Sequence, residues 1–252
     1  MRLSVCIDAV YRGIPPAEAM KLAKEAGYEA VEFWSWWDKD LEAIREAQLA
    51  CGLKVATFCT KFVSLVDPAR RGEYLEGLKL SIEAAKRLDC DRLITQTGND
   101  IPGTPREAQR QHMIEGLREC APLLEDAGVT LLVEPLNVAV DHPGYFLSSS
   151  EEAFGIVREA GSPNVKVLYD IYHQQITEGD LVRTMKANLP LIGHLHAAGH
   201  PGRHELHLGE INYPYVFAAL KEAGYDGFVG LEYFGVGDVA EGLKRALDMA
   251  AL

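Results

Sequence analysis

An order of elements constrains this chain more than any single motif. A short apolar run, a turn and a helical pattern recur eight times within 252 residues. The runs are Leu3–Ile7, Ala30–Trp34, Lys54–Phe58, Arg92–Gln96, Thr130–Val133, Lys166–Tyr169, Leu191–Leu195 and Phe228–Leu231. Each is short, apolar and β-rich, as parallel strands covered by helices are. Between them the spacing predicts helices over Pro15–Ala26, Asp40–Ala50, Asp67–Leu88, Pro105–Ala127, Ser149–Ala160, Gly179–Asn188, Tyr213–Ala223 and Asp238–Ala251. Start and stop chemistry agrees. Pro15 and Pro16 open the first helix, while Gly27, Gly52, Gly128 and Gly161 follow helix ends.

Two stretches echo one another, E-A-G-Y-E-A-V-E-F (Glu25–Phe33) and E-A-G-Y-D-G-F-V-G-L-E-Y (Glu222–Tyr233). Each reads as a helix end, a glycine cap, a turn and a strand ending in Glu. Eight such βα units without a linker predict a single (β/α)₈ TIM barrel, one domain over residues 1–252. An open doubly wound sheet is the rival, and it is disfavoured because no G-x-G-x-x-G follows a strand.

Composition narrows the function. A net charge of −12 leaves nothing to offset phosphate repulsion, which argues against nucleic acid or an anionic membrane as partner. No apolar run reaches the ~18 residues of a membrane span, and the start lacks the basic-then-apolar order of a signal peptide. Cys6, Cys51, Cys59, Cys90 and Cys120 are scattered and form no C-x-x-C, so neither a disulfide framework nor a thiolate zinc site is indicated. A reduced, cytoplasmic enzyme acting on a small molecule is the simplest expectation, with a homo-oligomer left open.

In a barrel the active site forms at the C-terminal ends of the strands. The longer connections there are Cys59–Val66, Thr97–Thr104, Pro135–Ser148 and Ala197–Ile211. Strand 5 ends in Glu134, strand 6 in Asp170 with His173 three residues on, and strand 8 in Glu232. Strand 7 contributes H-L-H, His194 and His196, which alternate and so share a face. A single acidic strand end is more often a helix cap or turn residue; four consecutive strands ending in ligand-type residues are a rarer coincidence. Three carboxylates repel one another in a low-dielectric mouth, and a divalent cation removes the conflict. An oxygen-rich set with one nitrogen suits Mn²⁺, Mg²⁺ or Co²⁺ better than structural zinc. Four protein ligands leave two octahedral positions, which match two adjacent oxygens of a hydroxy-carbonyl compound.

The strand ends and their loops resemble the xylose-isomerase-like barrel superfamily, and within it the hydroxypyruvate isomerase family. The carrying motifs are E-P-L-N (Glu134–Asn137), H-P-G-Y-F-L (His142–Leu147), D-I-Y-H-Q-Q-I-T-E-G-D-L (Asp170–Leu181), L-P-L-I-G-H-L-H (Leu189–His196), P-G-R-H-E (Pro201–Glu205), G-E-I-N-Y-P-Y (Gly209–Tyr215) and G-Y-D-G-F-V-G-L-E-Y (Gly224–Tyr233). The resemblance implies one divalent metal, Mn²⁺ foremost, held by Glu134, Asp170, His196 and Glu232. It also makes Glu134 and Glu232 the acid/base pair and puts His173 and Arg203 on substrate oxygens. The implied reaction is conversion of hydroxypyruvate to tartronate semialdehyde through an enediolate. Two departures keep a ketose 3-epimerase open. His196 stands where hydroxypyruvate isomerases commonly carry Gln, and Val138–Val140 stand where epimerases carry a further Glu. A metal-dependent abasic-site endonuclease is the alternative of another class. Around the site, His194 is expected one layer deeper, orienting a carboxylate ligand. His204 is expected nearer the site than His200 or His207. Trp34, Trp36 and Trp37 either wall the pocket or pack under a lid, and Lys61 is expected to be solvated.

Overall fold

A computed structural model describes Met1–Ala251; Leu252, the last residue of the expected domain, lies outside the described residues. Eight strands, β1 (Arg2–Cys6), β2 (Ala30–Phe33), β3 (Lys54–Cys59), β4 (Arg92–Thr95), β5 (Thr130–Val133), β6 (Val165–Asp170), β7 (Ile192–Ala197) and β8 (Phe228–Leu231), are all parallel. They close in sequence order, with Leu3 of β1 opposite Val229 and Ser4 opposite Gly230 of β8. The (β/α)₈ barrel is therefore observed, with strand ends displaced by no more than two residues from the expected ones.

The helices are α1 (Ile7–Val10), α2 (Pro16–Glu25), α3 (Leu41–Cys51), α4 (Arg71–Arg87), α5 (Arg106–Ala127), α6 (Ser150–Ala160), α7 (Ile171–Thr177), α8 (Leu181–Asn188), α9 (Tyr213–Glu222) and α10 (Val239–Ala251). Caps fix their ends. The Asp40 carboxylate accepts from the backbone N–H of Glu42 and Ala43, and Ser149 accepts from Glu152. Two expected helix starts need correction. The helix expected from Asp67 begins as a 3₁₀ turn, Pro68–Arg70, and the one expected from Gly179 begins at Leu181. Helices α1 and α7 were not expected, because four and seven residues are too few to show a helical period.

Alternation along the strands sorts the side chains. Leu93, Leu131, Val133, Val167, Leu195 and Val229 face outward into the apolar layer shared with the helices. Facing inward, Ile94, Leu132, Leu168 and Cys59 pack with Trp34, while Ala30, Ala56 and Phe228 close the base. The opposite flank of the interior is polar: Ser4, Glu32, His194 and His196. Strand β7 carries one extra residue, Gly193, against β6, since Val167 lies opposite Ile192 and Leu168 opposite His194. That bulge sets the phase that turns both histidines inward. Gly230 completes the fit, because a Cβ there would stand 2.5 Å from Glu32 Oε2 and 2.7 Å from the His196 ring. Among the described residues no helix is long and apolar enough to cross a membrane.

Candidate active site

A cavity of about 900 Å³ lies outside the barrel mouth between Tyr11, Ile14, Leu22 and Val239, apart from the titratable groups that converge from the strand ends. Those gather in a smaller cleft of about 370 Å³ at the C-terminal mouth, lined by Trp34, Glu134, His142, His173, His196, Arg203 and Glu232 among others. Glu134, Asp170, His196 and Glu232 each offer a ligand-type atom, and these atoms lie within 4.8 Å of one another. The four residues named from strand ends β5 to β8 are thus brought together, and His173 and Arg203 stand beside them.

His196 organises the cluster. Its Nε2 lies 2.9 Å from Glu32 Oε2, and its Nδ1 points up the barrel toward Glu232 Oε2 (3.3 Å) and Glu134 Oε1 (3.7 Å). That Nδ1 is buried and has no hydrogen-bond partner. Burial opposes charging the ring, but the carboxylates of Glu232 and Glu32 outweigh it and hold the His196 pKa well above its ordinary value. A buried nitrogen without a partner, ringed by three carboxylates, fits a divalent cation. The Glu32–His196 hydrogen bond would then be the outer carboxylate that orients a ligating imidazole.

The carboxylates divide. Burial, with Glu232 and Asp170 nearby, pushes the Glu134 carboxyl up to about 8. Burial likewise raises Asp170, whose carboxylate also caps α7 by accepting from Tyr172 and His173 N–H. Glu232 is driven the other way: burial is outweighed by Arg203, whose Nη2 lies 2.6 Å from Glu232 Oε2, and by His196 and the Trp34 indole N–H. Arg203 also reaches to 3.7 Å from Asp170 and lies over Tyr172. The guanidinium thus covers the acidic cluster from the mouth, with a left-handed backbone (φ 57) aiming it inward. His173 is fully buried and kept neutral by burial and by Arg203, its pKa well below the ordinary value.

Three residues join the site that the strand-end pattern did not single out, Glu32, Asn137 and His142. Glu32 binds both histidines from below, with Oε1 2.8 Å from His194 Nε2 and in contact with the Ser4 hydroxyl. Burial would raise its pKa, but His194 and His196 outweigh it and hold the carboxylate ionised. His194 does lie one layer deeper, but the carboxylate it orients is Glu32 and not one of the upper three. Asn137 contacts His173 Nδ1 at 2.6 Å. His142 lines the cleft with its ring 5.3 Å from that of His173. Trp34 is part of the wall, whereas Trp36 donates to Ser81 and Trp37 stacks edge-on against Phe62 at the surface. His204 does not line the cleft; its Nδ1 sits 2.9 Å from the Phe234 carbonyl and ties the long loop to the segment that follows β8. Lys61 lies over the Trp36 ring outside the cleft.

Glu32→Ala leaves two imidazoles and a hydroxyl without their carboxylate in a buried layer, so it should cost about 3–5 kcal/mol of unfolding free energy in urea denaturation. A loss under ~1 kcal/mol, the range of an exposed ion pair, would show that the layer is not the closed network described.

A barrel with titratable groups converging at its C-terminal mouth is the architecture of a barrel enzyme. The chain belongs to the xylose isomerase-like TIM barrel family, whose model matches residues 20–251. A 2-oxo-tetronate isomerase from Cupriavidus necator is 34% identical over 240 residues, covering 92% of each chain. The hydroxypyruvate isomerase of Escherichia coli is 31% identical over 220 residues, 84% of each. A solved structure from Brucella melitensis, described as an AP endonuclease of family 2, superposes with a TM-score of 0.93 at 33% identity, covering 98% of this chain and 99% of that one. By its kinship with the named isomerases the chain is an isomerase of this family.

Proposed function

We propose that this chain is a divalent-metal-dependent isomerase that moves a proton between adjacent carbons of a small 2-oxo acid bearing a neighbouring hydroxyl, hydroxypyruvate foremost. The observation that carries the reading is the unpartnered, buried Nδ1 of His196 set among Glu134, Asp170 and Glu232. The names of the relatives from Cupriavidus necator and Escherichia coli support the substrate class. When bound there, a divalent cation, with Mn²⁺ ahead of Mg²⁺ or Co²⁺, supplies the positive charge that offsets an enediolate. The residues do the rest. One of Glu134 and Glu232 removes the carbon-bound proton, and the other returns a proton from a second direction. His173, neutral and with Nε2 unpartnered, donates to a substrate oxygen, while Arg203 at the mouth pairs with the carboxylate of the acid.

Incubation of the protein with Mn²⁺ in D₂O and a panel of small keto-acids and ketoses tests this. Deuterium on the carbon next to the original site, with the carbonyl moved, marks an isomerase. Inversion with deuterium at the same carbon marks a ketose 3-epimerase, which the same two glutamates would serve. Because the Brucella melitensis structure carries a nuclease description, abasic-site duplex belongs in the panel. The net charge of −12 speaks against that substrate, and nicking would overturn the isomerase reading. His173→Ala and Arg203→Ala should keep the metal and lose kcat/KM by at least ~10-fold, as loss of a hydrogen bond to a charged group does. Loss of the metal in either variant would show a structural role instead.

A further inference from the structure

At the base of the loop after β5, Asn137 and His173 face each other and both are fully buried. The orientation of the Asn137 amide is dictated by the backbone: its Oδ1 accepts from the N–H groups of Val140 (3.0 Å) and Asp141 (3.1 Å). The Nδ2 must then face the other way, where it meets Asp141 Oδ2 at 2.7 Å and His173 Nδ1 at 2.6 Å. An amide NH₂ only donates, so His173 Nδ1 has to accept. The backbone N–H of Asn137, 3.4 Å from the same Nδ1, also presents a donor to it. A ring nitrogen facing two donors carries no proton, and in a neutral imidazole the single proton then sits on Nε2. That Nε2 is buried, has no hydrogen-bond partner, and lies 3.5 Å from Asp170 Oδ2, a carboxylate of the acidic cluster, and the His173 side chain lines the cleft.

We infer that Asn137 is a positioning residue that locks His173 in the Nε2–H tautomer, so that the cleft receives from it a hydrogen-bond donor and never an acceptor. The ligand atom it meets is therefore an acceptor, a carbonyl, carboxylate or hydroxyl oxygen. His173 is equally barred from serving as the base that takes the carbon-bound proton. The identity of the ligand oxygen rests on the isomerase reading above; the tautomer does not.

The test uses ¹⁵N-labelled full-length protein with Mg²⁺ added, the His173 ring signals being assigned by their loss in His173→Gln. In the unaltered protein Nδ1 should resonate as an unprotonated and Nε2 as a protonated ring nitrogen. Asn137→Asp combined with Asp141→Asn keeps an oxygen for the two backbone donors but turns an acceptor toward the ring. Nδ1 should then become protonated, while Asp141→Asn alone leaves the tautomer as it was. With the keto-acid that the exchange panel shows to react, kcat/KM of the double variant should fall by at least ~10-fold with thermal stability held near that of Asp141→Asn, the cost of losing a hydrogen bond to a charged group. A protonated Nδ1 in the unaltered protein overturns the inference without reference to any variant. So does a double variant that folds and keeps Nδ1 bare, or one that switches tautomer with kcat/KM unchanged. Failure of every keto-acid to react would sink the isomerase reading and leave the tautomer result standing.

Discussion

Glu134→Gln and Glu232→Gln should each lower kcat by at least ~10² with substrate saturating, the usual loss for a positioned acid or base. Glutamine keeps the shape and an acceptor oxygen, so Arg203 and the Trp34 indole still have a partner at position 232 and the cleft keeps its walls. What disappears is the capacity to take or return a proton. β5 and β8 stand three strands apart in the closed order, so the two carboxyl groups approach the centre from separate directions. Their environments already differ, since Glu134 is pushed up to about 8 and Glu232 is held down by Arg203 and His196 despite its burial. Solvent-deuterium exchange separates the roles. The variant lacking the returning acid should still exchange the substrate proton without forming product, and the variant lacking the base should do neither. If both variants turn over near the normal rate, the proton is carried elsewhere and the pair is misassigned.

Stripping the divalent ion should abolish turnover, and affinity for the ion should rise with pH up to about 8. Without a cation, the Glu134 carboxyl keeps a proton to about that pH because burial and the charges of Glu232 and Asp170 penalise ionising it. Glu232 and Glu32 likewise hold the His196 pKa well above its ordinary value. Glu134 and His196 must both be deprotonated to act as ligands, so uptake releases protons, and each proton displaced weakens binding about tenfold per pH unit below the relevant pKa. Isothermal titration with Mn²⁺ from pH 6 to 9, in buffers of different ionisation enthalpy, reads both the slope and the proton count. A pH-independent affinity between 6 and 8 would contradict this account. Stability of the metal-free protein follows with a definite sign. A carboxyl whose folded pKa is raised favours the fold below its unfolded pKa, and that contribution fades as pH climbs through about 8. Metal-free Glu134→Gln should therefore match the parent in Tm near pH 4 and exceed it near pH 9. The opposite ordering would mean that Glu134 is ionised in the empty site.

Local patterns carried much of this protein openly. Strand-sized apolar runs alternating with capped helices leave few ways to bury both faces of a parallel sheet, and a closed barrel of eight units is one of them. The period of two along a strand placed Glu134, Asp170 and Glu232 at strand ends and turned His194 and His196 to a common side. Height inside the barrel was less legible. Glu32 stands four residues after the tyrosine of its E-A-G-Y and Glu232 seven after the same tyrosine, a difference that marks Glu32 as the deeper of the two. Only barrel closure and the bulge at Gly193 put Glu32 beneath His194 and His196 with Gly230 as the gap that admits it. Arg203 against Glu232, the retreat of His204 to the Phe234 carbonyl, and the Asn137 amide on His173 join segments 29 to 36 residues apart. Alternation decides which face a side chain takes from its own strand alone. Its depth and its partner depend on how seven other strands tilt and register, and that is settled only when the sheet closes on itself.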